Sequence, residues 1–280
     1  MKKIKEFLLM IKWTITKPEM LILPGHLAFF FFLSVVPTIT LIGYGASFLN
    51  LSIDFLSNFI SKAFGNEVAG LIIPAMSGSK FSLRFILTLL VGYFVASNGA
   101  STVIVTSNTI YGIRDKGFIK RRIKAAVMTF FIILLFLFIL FVPVFGRMII
   151  DLIKYVNLNA EITKDIELAF NILRSPVSWF IIFLFIKILY TMAPDRKIPS
   201  SDVNRGSIFT SISWIIITRI YSFYIYNFGS YNTFYGSLAN IVVLMLWVFI
   251  LAYIFVIGMA MNSRLEEIKL EKTGQLKINK

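Results

Sequence analysis

The sequence predicts an all-α, polytopic membrane protein: a bundle of six transmembrane helices with short amphipathic interfacial helices. Three observations carry that expectation. Six long apolar stretches recur along a chain that is 58% hydrophobic and only 15% charged. A soluble domain usually devotes about a quarter of its residues to charge. The charges fall almost entirely between the stretches, and basic residues are dense in every second gap. Loop charge of that kind sets the orientation of a polytopic protein.

A helix needs roughly 20 apolar residues to cross the hydrocarbon core. The stretches lie at about 27–49, 83–108, 125–146, 176–192, 207–228 and 238–262, and the chain reads as a single integral membrane domain over 1–280. In the first, Pro37 falls mid-span and frees the carbonyl of Leu33, so a kink or hinge is expected. The second carries Gly92, Ala96 and Ala100 at four-residue spacing, a flat stripe that lets another helix approach closely. Its "SNGASTVIVTSN" run puts Asn98, Thr102, Val105 and Asn108 or Thr109 on one face. The third, "AAVMTFFIILLFLFILFVPVF", is uniformly apolar and suits lipid. The fourth is the shortest and holds Lys187 about five residues from its inner end. The fifth contains Arg219, and the sixth begins at "YGSLAN" and contains Trp247, Gly258 and Asn262.

Three segments read as interfacial. Residues 3–15 set Ile4, Phe7, Leu8, Ile11 and Ile15 at helical spacing, with lysines elsewhere, the pattern of a helix lying on the membrane surface. The loops at about 50–80 and 147–175 have a similar mixture and are expected to cap the outer face.

Counting Lys and Arg orients the bundle. The N-terminal segment, the second and fourth gaps and the C-terminal tail together hold nineteen; the other gaps hold seven. The richer side belongs in the cytosol, which places both termini there. The net charge of +14 then reads as cytosolic flanks meeting anionic headgroups rather than as a nucleic-acid surface. No Cys is present, so disulfide and thiolate chemistry are excluded, and a lone His26 cannot form a histidine metal cluster. No metal or cofactor is expected.

Two cations, Lys187 and Arg219, lie deep inside apolar stretches, Arg84 only at the edge of one, and no acid does. Arg219 sits about twelve residues into its span, roughly 18 Å deep at 1.5 Å per residue. Ser222 and Tyr226 share its face at i+3 and i+7. A mid-bilayer guanidinium is costly, and such residues usually face the bundle interior or a wet cavity. Arg219, Ser222 and Tyr226, with Asn98, Asn108 and Lys187, are therefore the candidate lipid-binding residues of a polar interior cavity, and Pro37 the candidate hinge. The plainer alternatives are a packing role for Arg219 and a Lys187 stem that snorkels to the inner headgroups.

Four strings, "HLAFFFFLSVVPTITLIG", "ASNGASTVIVTSNTIYGI", "YTMAPDRKIPSSDVNRGS" and "TFYGSLANIVVLMLWVFILAYIFVIGMAMN", span about residues 20–262. In order and spacing they resemble the YihY/BrkB family of bacterial inner-membrane proteins, which once carried a ribonuclease BN label. The resemblance implies a six-helix membrane protein and links to envelope lipid export or homeostasis. The departure at Asn98–Gly99 and the short tail argue against partner recruitment through a long tail.

An enzyme is not expected. The acids are scattered, His26 has no evident partner, and no nucleophile–base pair or phosphate-cradling loop is visible. The expected function is transport, or a part in it, of an anionic lipid or envelope amphiphile, with Arg219 contacting its phosphate. The alternative is a structural scaffold whose outer loops bind an envelope protein; a ribonuclease ranks last.

Overall fold

A computed structural model describes residues 16–48, 83–134, 176–177, 179–228 and 238–272, together with residues 54, 57, 58, 61 and 73. Among the described residues the secondary structure is helical, with no strand. Six helices follow one another: α1 (Glu19–Phe48), α2 (Leu83–Ile110), α3 (118–134), α4 (Trp179–Met192), α5 (Asn204–Phe228) and α6 (Leu238–Lys272). The surface segments predicted at 3–15 and 147–175 lie outside the described residues, as does all but five positions of the 50–80 loop. α1, α2 and α6 are each long and apolar enough to cross a membrane.

The helices overrun the predicted spans where nothing stops them. α1 starts eight residues before residue 27 and continues unbroken through Pro24 and Pro37. α6 continues ten residues past 262, carrying Arg264, Glu266, Glu267, Lys269 and Glu271 beyond the apolar stretch. Apolarity marks what lies in lipid, whereas a helix ends only at a breaker. α2 has one: Gly112 adopts a left-handed φ of 61°, and Ile113 N–H returns to the Asn108 carbonyl at 2.7 Å. That is a glycine C-cap, which satisfies the last carbonyls of the helix.

α6 is the axis of the bundle. Residues 255–263 are buried on every side, as expected of a helix surrounded by others. Phe255 lies within ring-contact distance of Phe31 of α1, Tyr190 of α4 and Trp214 of α5. α1 and α2 meet where Gly99 N–H donates to Ser34 Oγ at 3.0 Å. A Cβ at Gly99 would come within 3.1 Å of that oxygen, so the close approach belongs to Gly99. The predicted Gly92–Ala96–Ala100 stripe divides: Ala96 and Ala100 are buried, while a Cβ on Gly92 would meet nothing within 4 Å.

The tightest crossing joins α5 to α6. A Cβ on Gly206 would run into the Gly258 carbonyl and the Asn262 amide, and one on Gly258 into Thr210 Oγ1 and the Tyr190 hydroxyl. Polar bonds close the same spot. Gly206 N–H donates to Asn262 Oδ1 at 2.7 Å. The Tyr190 hydroxyl donates to the Phe255 carbonyl at 2.7 Å and shares a 2.8 Å bond with Thr210 Oγ1. One helical turn on, Trp214 Nε1 donates to the Leu251 carbonyl at 2.9 Å.

Gly206→Ala and Gly258→Ala should each destabilise the protein by about 1–3 kcal/mol, the usual cost of overpacking. Gly92→Ala should not. Thermal unfolding of the detergent-solubilised variants checks this; equal melting of all three would refute the crossing.

Candidate functional site

Polar chemistry concentrates where α2, α3, α4, α5 and α6 end or begin together, on the face the charge count assigns to the cytosol. Asn108, buried at the end of α2, meets Asp195 in the α4–α5 loop twice: its Nδ2 donates to Oδ2 at 2.8 Å, and Asp195 N–H donates to its Oδ1 at 2.9 Å. Lys124 Nζ, on α3, donates to Asp195 Oδ1 at 2.8 Å and to the Ala193 and Pro194 carbonyls at 2.7 Å each. The Asp195 side chain is only 3% exposed and that of Lys124 is 26% exposed. Two helices, α2 and α3, are thus pinned to one loop.

Ion pairs extend the same face. Arg196 binds Glu266 at 2.7 Å, and Lys269 binds Asp202 at 2.9 Å, so the α4–α5 loop is tied to the part of α6 that runs past the membrane. Arg264 pairs with Glu267, and Arg121 with Asp115. Ser263 Oγ donates to the Ile110 carbonyl at 3.2 Å. Tyr111 is caught among these groups; burial, then the charges of Glu266 and Asp202, push its hydroxyl up. Burial works to raise the Asp195 carboxyl too, but hydrogen bonds from Lys124 and Asn108 and the Lys124 charge outweigh it and hold the group below its ordinary range.

At membrane depth the predicted residues do not converge. Arg219 is exposed, on the stripe of Ile208, Ile212, Ile216, Ile220 and Phe223, all exposed. This corrects the expected interior cavity. The α6 crossing claims the Gly206, Thr210 and Trp214 face of α5, and Arg219 falls on the other side. Among the described residues Arg219 forms no hydrogen bond or ion pair. Ser222 is exposed too, and its Oγ donates to the Thr218 carbonyl of its own helix at 2.8 Å. The Tyr226 side chain lies outside the described residues. Lys187 does not reach for the inner headgroups: its Nζ lies 5.8 Å from the Phe183 ring centroid, one turn back towards the opposite face. Asn108 belongs to the loop clamp rather than to a cavity, and Pro37 is half-buried within an unbroken helix.

Asn98 does bind a cation, one the sequence assigned to a loop. Arg122 of α3 donates from Nη1 to Asn98 Oδ1 at 2.7 Å and from Nη2 to the Phe94 carbonyl at 2.9 Å. Its guanidinium carbon lies 3.7 Å from the Phe94 ring centroid. Nearby, the Tyr93 hydroxyl donates to the Ala126 carbonyl. Reading α3 from residue 125 hid Arg122; the run "FIKRRIKAAV", with apolar residues at 118, 119 and 123, was the available signal that the helix starts earlier. Tyr190 and Lys124 carried no comparable signal, because their partners are distant in sequence.

Among the described residues no group of three or more His, Asp or Glu could hold a metal ion.

Residues 17–278 match the family model described as virulence factor BrkB. The chain belongs to the BrkB family. A putative ribonuclease-like protein of Bacillus subtilis, YfkH, is 28% identical over 253 residues, covering 88% of this chain and 90% of that protein. A UPF0761 membrane protein of Idiomarina loihiensis is 28% identical over 104 residues, 36% of this chain and 37% of its own length. Another, from Haemophilus influenzae, is 25% identical over 119 residues, 42% of this chain and 44% of its own. The matched stretch therefore spans less than half of either UPF0761 protein. No solved structure matches the chain. Kinship with these membrane proteins and the three long apolar helices make this BrkB-family chain a multi-pass bacterial membrane protein.

Since the folded Asp195 carboxyl titrates low, its stabilisation is complete above the ordinary carboxylate range and is lost as pH falls through the depressed value. Lys124→Ala should cost about 3 kcal/mol, the low end for stranding one partner of a buried pair, because Lys124 keeps some solvent contact. Asp195→Asn should remove the acid-dependent part of the melting curve below about pH 4. Thermal melts across pH check both, and an unchanged acid limb in Asp195→Asn would refute the assignment.

Proposed function

We propose that this BrkB-family protein is a non-enzymatic membrane protein that hosts an anionic lipid or envelope amphiphile and eases its passage across the bilayer, with Arg219 as the phosphate contact. One observation supports this most. Arg219 is exposed among exposed Ile212, Ile216, Ile220 and Phe223, and no Asp or Glu falls within the apolar stretches. A guanidinium in such surroundings is stabilised by an anion carried by the lipid itself, and it can hold a phosphate through two parallel bonds. Ser222, exposed one turn further on, adds a hydroxyl, and Tyr226 is assigned to the same path. Lys187 adds positive potential, and Pro37, inside the unbroken α1, is the candidate hinge. With no acid among the spans there is no proton relay, so movement is facilitated rather than proton-driven.

The ribonuclease-like name of YfkH belongs to that protein. Phosphodiester hydrolysis needs a positioned base or metal-bound water, and Asp115, Asp195, Asp202, Glu266 and Glu267 are spent on ion pairs with Lys and Arg. A scaffold reading draws on a different observation: Asn98 and Asn108 are already bonded to Arg122 and Asp195.

The test is Arg219→Ala in liposomes carrying a labelled anionic phospholipid, with folding verified by melting. Transbilayer movement should fall about tenfold, as expected for losing one charge-assisted bond worth about 1.5–3 kcal/mol. Unchanged movement by a folded variant would leave the scaffold reading standing instead.

A further inference from the structure

The Arg122 site has features that neither the transport reading nor the family match uses. α3 presents a lipid-facing band from its first turn: Phe118, Ile119, Ile123, Val127 and Phe130 are all exposed, Ile119 at 73%. Arg122 lies four residues into the helix, about 6 Å along its axis. Its side chain reaches across to α2 and lies against Phe94, itself 56% exposed in a row with Leu90 and Val91. The guanidinium therefore lies within the apolar surface of two helices, one turn in from the basic face.

Its partners are all neutral: an amide oxygen, a backbone carbonyl and a ring. Among the described residues no carboxylate pairs with it, although the neighbouring Arg121 and Lys124 each have one. A guanidinium has five N–H donors, and two are used here, so three remain. The bonds to Asn98 and Phe94 fix its plane, which lowers the ordering cost of taking a further ligand. Lys116 and Lys120, both exposed nearby, add positive potential at the same level.

We propose that Arg122, held by Asn98 and Phe94 in the α2–α3 crevice, binds the phosphate of a phospholipid from the leaflet on the basic face. The source is a lipid and not a soluble anion because both walls of the crevice are exposed apolar surface that only acyl chains match. The site holds a lipid at equilibrium whether or not any lipid crosses the membrane, so it stands apart from the Arg219 reading.

The experiment is native mass spectrometry of the full chain in detergent, titrated separately with phosphatidylglycerol, with diacylglycerol of the same acyl chains and with free glycerol phosphate. The wild-type chain should retain phosphatidylglycerol about tenfold better than diacylglycerol, the factor that about 1.4 kcal/mol supplies. Arg122→Gln should abolish that preference, and Arg122→Lys should keep only part of it, because the charge stays while the fork is lost. If Arg122→Gln does not fold, the wild-type preference and the partial loss in Arg122→Lys decide. No wild-type preference, a folded Arg122→Gln that retains phosphatidylglycerol fully, or equal competition by free glycerol phosphate would each overturn the proposal.

Discussion

With the Gly258 carbonyl crowding the place where a Cβ of residue 206 would sit, α5 and α6 approach too closely for a side chain at that point. Much else in the described structure follows from that contact. Membrane helices gain nothing from the hydrophobic effect on meeting, so packing and interhelical hydrogen bonds must hold them. Here the two come together, because removing both Cβ atoms opens the space that Thr210, Tyr190 and Asn262 fill with hydroxyl and amide bonds. The crossing also sets the rotation of α5. Gly206, Thr210 and Trp214 are four residues apart and all face α6, and Tyr221 stacks on Trp247 further along. Once that face is committed, Arg219 is carried to the far side with Ile212, Ile216 and Phe223. The outward Arg219 is thus a consequence of two glycines thirteen and thirty-nine residues away in sequence.

Charge in this protein follows a second rule. On the basic face three described carboxylates are engaged with cations: Asp195 with Lys124, Glu266 with Arg196, Asp202 with Lys269. These pairs tie the α4–α5 loop to α3 and to the protruding end of α6. Exposed pairs contribute little individually, and Arg196 and Lys269 are both largely exposed. The Asp195 clamp differs because its carboxylate is buried and accepts bonds from two side chains, so losing one partner there costs more than losing an exposed pair. By contrast, the cations Arg122, Lys187 and Arg219 have neutral partners or none among the described residues.

The helical plan was legible in the sequence, and the bounds of α2, α4 and α5 to within a few residues, because apolar length and loop charge are both local signals. The ends of α1 and α6 were not, since a helix can leave the bilayer without leaving its hydrogen-bond ladder. The candidate site was legible only in part. Arg219 stood out as a buried-depth cation, but its direction depends on which face of α5 meets α6. Gly258 and Asn262 were visible as isolated small or polar residues in the sixth span; their meeting with Gly206 is a long-range fact. Arg122 was placed in a loop because a charged residue at a span's edge was taken as its boundary.

Arg122 and Arg219 differ in a way that bears on what each can do. Arg122 is fixed by two hydrogen bonds and a ring, so a ligand there meets a preorganised fork and gains affinity by sparing side-chain entropy. Arg219 has no such restraint among the described residues, and its long side chain can follow a charge over several ångströms. A rigid cation favours residence and a mobile one favours passage, because movement across a membrane requires binding weak enough to release. Under the two proposals the arginines take different tasks on different helices: a resident lipid between α2 and α3, and a transient headgroup contact on the outward face of α5.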